Sequence, residues 1–154
     1  NLLIENSIPM NSVTFHPMVV HFSIALVIVG FVIDFFYIFV AKKDWRKTSS
    51  LFLMILAALA VFLSWFTGEY YSRSYDGVGR DVKDEHELFA WITIYIFGAA
   101  VAVRFLAIYL KKNPAILKYF YIILMIAAVI AIGYCGYLGG NLVYELQHDL
   151  RPGQ

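Results

Sequence analysis

The sequence predicts an all-α membrane protein: a bundle of four transmembrane helices with both termini on the outer side. Three observations carry that expectation. Hydrophobic residues are 61% of the 154 residues and charged residues 15%, where a soluble domain averages about 25% charged. Four apolar runs each approach the roughly 20 residues that cross a bilayer. Lysine and arginine are concentrated in two short turns, which fixes the orientation of the runs between them.

Residues 1–15 are mixed in character and lack a basic stretch followed by an apolar core, so they do not read as a signal peptide. The chain opens on Asn1, which points to a processed or trimmed start. The first span, about 17–40, follows His16-Pro17; proline suits the first turn of a helix, where no N–H is needed, so His16 is expected at or beside the N-cap. Lys42, Lys43, Asp44, Trp45, Arg46 and Lys47 form a basic turn. The second span, about 49–69, runs into Thr67-Gly68-Glu69. A hydrophilic loop is expected from Ser72 to Glu85, with Asp76, Gly77 and Gly79 as turn formers. The third span, about 86–110, opens on His86, and Lys111-Lys112-Asn113-Pro114 makes the next turn. The fourth, about 115–142, passes through the glycine-rich stretch from Gly133 to Gly140, and a polar tail closes the chain. Residues 1–154 read as a single integral membrane domain.

The short basic turns belong on the cytoplasmic side, which puts both termini and the middle loop in the periplasm of a bacterial inner membrane. A net charge of +1 and the lack of a basic tract give no reason to expect nucleic acid as a partner. Cys135 is the only cysteine, so no intrachain disulfide forms. No phosphate loop, zinc-protease helix or nucleophile elbow occurs, and the chain does not read as an enzyme on its own. The four methionines are scattered, which argues against a thioether copper site.

All four histidines fall on the outer side of this topology: His16, His21 and His86 at the ends of their spans, and His148 beyond the fourth, in solvent. At about 100° and 1.5 Å per residue, His16 and His21 point roughly 140° apart and lie about 7.5 Å apart along the axis, so they cannot grip one ion from one face. His21 and His86 sit at similar depth on different spans, where two imidazoles can flank a flat macrocycle. They are the expected axial ligands of a b-type haem, with His16 a ligand to a second haem or a polar contact to the first. Arg73, Arg80 or Lys83 would neutralise propionates. A bare divalent ion held by His16, His86 and Glu69 is another reading, and interfacial histidines bonded to loop carbonyls or water a third.

Asp34 and Arg104 each lie roughly 10 Å inside the inner interface. Intramembrane charges cost at least about 2.5 kcal/mol apiece and tend to pair, so an ion pair bridging two helices is expected; a polar groove for a quinone head group, a proton path, or Arg104 snorkelling to lipid phosphates are the alternatives. Gly136 and Gly140 have the spacing of close helix contacts, with Gly133 and Gly139 alongside, and glycine also lets a planar cofactor lie against backbone. Trp65 and Trp91 near the outer interface and Trp45 near the inner suit aromatic belts.

The opening His16-Pro17-Met18-Val19-Val20-His21-Phe22, the Thr67-Gly68 pair, His86, and Gly139-Gly140-Asn141-Leu142-Val143-Tyr144 resemble the small bacterial membrane proteins grouped as domain of unknown function 2231. The resemblance spans about Phe15 to Tyr144. The chain departs from it in Ser23, where proline is typical, and in Glu69-Tyr70-Tyr71, where an aspartate usually follows Thr-Gly; both bear on local geometry at the outer end. The resemblance implies a four-span bundle, often encoded near respiratory or redox components. Combined with the histidines, the expectation is a haem-binding electron-transfer subunit of a larger respiratory or photosynthetic complex, with lipid, other redox subunits and a quinone as its surroundings. The alternative is a cofactor-free accessory subunit packing against partner helices.

Overall fold

The computed structural model describes residues 10–42, 44, 50–71, 75–110 and 115–146. Four long helices account for most of them: α1 (Met10–Phe35), α2 (Ser50–Tyr71), α3 (Gly77–Tyr109) and α4 (Ala115–Tyr144). Each is long and apolar enough to cross a membrane. Beyond Phe35, α1 widens into a π-helical turn over Phe36–Val40. Arg73, His148 and most of the two basic turns lie outside the described residues.

Two boundaries differ from expectation. Helix α1 starts at Met10, so Pro17 lies inside it and His16 is not a cap. Proline removes a single i to i−4 bond, and a membrane helix tolerates that loss without ending. Helix α3 starts at Gly77, so much of the expected loop is helical. Gly77 takes a positive φ of 55°, which sets the turn. The charged stretch after it is rich in good helix formers and carries the Lys83–Glu87 pair at 3.4 Å, one turn apart. The buried Tyr75 donates its hydroxyl to the carbonyl of Leu142 at 3.1 Å, tying the start of α3 to α4.

Helices α1 and α2 form one closely packed hairpin and α3 and α4 another; α1 meets α4 less extensively, and α2 meets α3 the least of the four neighbouring pairs. Lipid gives little hydrophobic drive between spans, so close approach depends on small residues. Ala57, Ala60, Ala100, Ala107, Ala128 and Ala131 are all buried on the helix-facing sides. Large side chains such as Phe22, Phe52, Phe62, Tyr95, Ile123 and Ile130 face outward.

The two hairpins are copies of one design. Asp34 and Arg104 are 70 residues apart, and the same separation relates His16 to His86, Ser23 to Thr93, Ile24 to Ile94 and Val27 to Phe97. One residue more relates Ser50 to Tyr121, Met54 to Met125, Ala57 to Ala128, Val61 to Ile132 and Gly68 to Gly139. Ser23, Thr93, Val27, Phe97, Met54, Met125, Ala57 and Ala128 are buried in matching pairs. Even local bonds repeat: Ser23 donates to the Val19 carbonyl at 2.9 Å and Thr93 to the Phe89 carbonyl at 2.8 Å. The bundle is thus pseudo-two-fold, with equivalent residues of the two halves facing each other near its centre.

At the end that carries Asp34, each helix contributes one polar side chain to a buried cluster. Arg104 Nη1 donates to Asp34 Oδ2 at 2.6 Å and to the Tyr121 hydroxyl at 3.2 Å, and Nη2 donates to Ser50 Oγ at 3.1 Å. Ser50 and Tyr121 both donate to the Asp34 carboxylate. Asp34, Ser50, Arg104 and Tyr121 are at most 2% exposed, so this ion pair spans all four helices out of reach of solvent. It closes one end of the bundle and leaves the histidine end to form the cavity.

Candidate functional site

A cavity of about 90 Å³ lies between the helices at the histidine end. His16 reaches it from α1, Trp65, Gly68 and Glu69 from α2, His86 and Trp91 from α3, and Cys135 and Gly136 from α4. Ser23, Ser64 and Thr93 line it as well, and Lys83 and Glu87 stand at its charged margin.

Helix geometry decides which histidine of α1 enters. Ser23, Val27 and Asp34 mark the buried face of α1. His16 lies two turns before Ser23 on that face, while His21 is rotated away. His21 is exposed, and its Nδ1 donates to the Pro17 carbonyl of its own helix at 2.6 Å. The expected facing pair of His21 and His86 is therefore replaced: His16 is the residue that meets His86. Their ring centres are 6.5 Å apart with planes at 88°.

The hydrogen bonds fix how each ring is presented. Thr67 Oγ1 donates to the Ser64 carbonyl at 3.1 Å, which leaves it an acceptor toward His16 Nδ1 at 2.9 Å. His86 Nδ1 donates to the Cys135 carbonyl at 2.9 Å. These bonds assign the proton to Nδ1 in both rings, by the carbonyl acceptor for His86 and by the Thr67 hydroxyl's own donation to Ser64 for His16, which leaves Nε2 a lone pair, the arrangement in which a metal-binding imidazole is oriented from behind. Ser64 and Cys135 are equivalent positions of the two hairpins, but the Cys135 carbonyl takes the His86 Nδ1 directly whereas the Ser64 carbonyl takes the Thr67 hydroxyl that holds His16.

Two glycines, also equivalent, give the rings their room. A Cβ on Gly68 would stand 3.0 Å from His16 Cε1, and one on Gly139 would stand 3.2 Å from His86 Cε1. Among the other glycines of α4, Gly136 lets Ile24 of α1 approach to where a Cβ would be 2.7 Å away, whereas Gly133 and Gly140 have nothing within 4 Å. Of the expected close-contact pair, then, Gly136 meets a neighbouring helix, and Gly140 meets none among the described residues.

What the arrangement can hold follows from its donors. Metal–imidazole bonds of about 2 Å put two in-line rings about 6 Å apart, centre to centre, close to the observed 6.5 Å. A bare ion in a protein site takes three or four protein ligands. Glu69 does line the same cavity, yet among the described residues no three His, Cys, Asp or Glu groups come together to hold a metal. Two imidazoles at this distance would suit a metal that brings further ligands of its own. The indole N–H of Trp65, a residue of the cavity wall, is buried and has no acceptor among the described residues. A macrocycle would extend beyond this cavity, which is partly open. Of the side chains expected at propionates, Lys83 lines the cavity and Arg80 is exposed away from it.

Ser64 was not named from sequence, and Ser23, Trp65, Thr67 and Cys135 were given other readings there, not a place beside the histidines. Their signal is the repeat itself: aligning the halves on His16 and His86 brings Ser23 onto Thr93 and Ser64 onto Cys135.

Over residues 12–151 the chain matches the model of the family described as predicted membrane protein DUF2231, and it belongs to that family. No curated protein and no solved structure matches it.

Proposed function

We propose that this member of the DUF2231 family binds one b-type haem between His16 and His86 and serves as an electron-transfer subunit in the bacterial inner membrane, with the histidine end toward the periplasm. The observation that carries the reading is the pair of imidazoles that α1 and α3 bring together, with ring centres 6.5 Å apart, planes at 88° and a hydrogen bond at the Nδ1 of each. Bound there, the group would supply one-electron chemistry at its iron, with a potential set by its axial ligands, their hydrogen bonds and burial. The chain's own part is orientation: Thr67 and the Cys135 carbonyl hold Nδ1 of each ring, and Gly68 and Gly139 leave the rings room. Lys83 stands where it would offset a carboxylate at the cavity margin. The partners expected are redox subunits in or beside the membrane, or a lipid-soluble quinone.

The test is a reduced-minus-oxidised visible spectrum of the full chain purified in mild detergent from cells supplied with haem precursor. A Soret band that moves on reduction, at one haem per chain, is expected. A colourless, folded protein would leave the accessory-subunit reading in its place.

A further inference from the structure

The two lateral seams beside the cavity are equivalent by the internal repeat but are not built alike. At the seam between α1 and α4, Ile24 seats on Gly136, where a Cβ would lie only 2.7 Å from its Cδ1, and the helices close tightly. At the seam between α2 and α3 the equivalent residues are Ile94 and Trp65. The indole replaces the glycine, the helices touch sparsely, and the gap is filled by Trp65 against Trp91 with ring centres 5.2 Å apart. Trp91 continues onto Tyr95, stacked at 5.8 Å and 69% exposed on the lipid-facing side. A seam filled by planar rings, with a buried N–H that meets no acceptor among the described residues, is a built feature and not a packing accident, since the equivalent pair α1 and α4 closes without it.

We infer that the α2–α3 seam is a lateral binding site for a planar, lipid-soluble quinone, whose ring stacks with Trp91 and Tyr95 and whose carbonyl oxygen accepts the Trp65 N–H. A quinone meets each demand of the site. It arrives through the bilayer, its flat ring matches the aromatic ladder, and its carbonyl is an acceptor with no charge to desolvate. Bracketing by the two histidines is ruled out, because rings 6.5 Å apart leave no room for a six-membered ring with hydrogen bonds at both ends. The inference deepens the electron-transfer reading by naming its lipid-side partner, and rests on that reading for its purpose, although the binding itself does not need haem.

The experiment titrates decylubiquinone into the full chain in lipid nanodiscs and follows quenching of tryptophan emission. Saturable quenching is expected. Trp65→Phe keeps the ring and loses the donor, which should raise the half-saturation about fivefold, the loss of roughly one neutral hydrogen bond. Ile24→Val at the opposite seam should leave it unchanged. Quenching that grows linearly with the quinone-to-lipid ratio (partition into lipid only), or an equal half-saturation in Trp65→Phe, would overturn the proposal. Repeating the titration on His16→Ala/His86→Ala separates the two readings. Saturable binding in wild type without any Soret band sinks the haem alone, and a Soret band without saturable binding sinks the quinone site alone.

Discussion

Replacing Arg104 by methionine keeps most of the side-chain volume and removes the guanidinium from a carboxylate that no solvent reaches. Breaking a buried pair from one side costs about 3–5 kcal/mol, because the remaining charge keeps its desolvation penalty. Asp34→Leu, which strands the guanidinium instead, falls in the same range. The double variant Asp34→Leu/Arg104→Met removes both charges. It leaves the Ser50 and Tyr121 hydroxyls short of the bonds they make to that pair, at about 1 kcal/mol each. The net loss is then about 2 kcal/mol, well below the sum of the singles, and the cycle returns a coupling of at least about 4 kcal/mol. Reversible unfolding of the purified chain in phospholipid–detergent micelles, titrated with sodium dodecyl sulfate, measures all four corners. Additive losses, or a single variant costing less than about 1 kcal/mol, would refute the claim that this pair locks the four helices together.

Other outcomes follow from single contacts. Gly68→Ala pushes a methyl to within 3.0 Å of His16 Cε1 and Gly139→Ala to within 3.2 Å of His86 Cε1, so both should lower haem occupancy, while Gly98→Ala, with nothing within 4 Å, should leave it unchanged; absorbance ratios of the purified variants decide. Thr67→Val removes the acceptor behind His16 at nearly constant shape and should weaken haem retention by about 10–100-fold, read from transfer to apomyoglobin. Tyr121→Phe removes a hydroxyl that both donates to Asp34 and accepts from Arg104, and should cost about 1–3 kcal/mol in the same unfolding assay.

Much of the fold was legible because apolar runs of membrane length admit few readings. The start of α3 was not, since residues 80–87 are charged and a charged stretch reads equally as loop or as exposed helix. Asp34 and Arg104 could be matched by depth alone. The choice of histidine was available and missed. His16 precedes Asp34 by 18 residues, as His86 precedes Arg104, and that separation is five full turns. A buried Asp34 therefore carries His16 inward with it and turns His21 to the outside. The repeat was obscured because lipid-facing positions accept almost any apolar residue, so the halves agree in position and burial more than in identity. Trp65, Thr67 and Cys135 enter the site through the rotation of α2 and α4, which an evenly apolar helix does not disclose.

The proposed function depends first on which imidazoles hold the cofactor. Haem content per chain, measured side by side in wild type, His16→Ala, His86→Ala and His21→Ala, tests it. The expected result is haem lost in the first two variants and retained in His21→Ala. Haem retained without His16, or lost without His21, would contradict the pairing on which the proposed function is built.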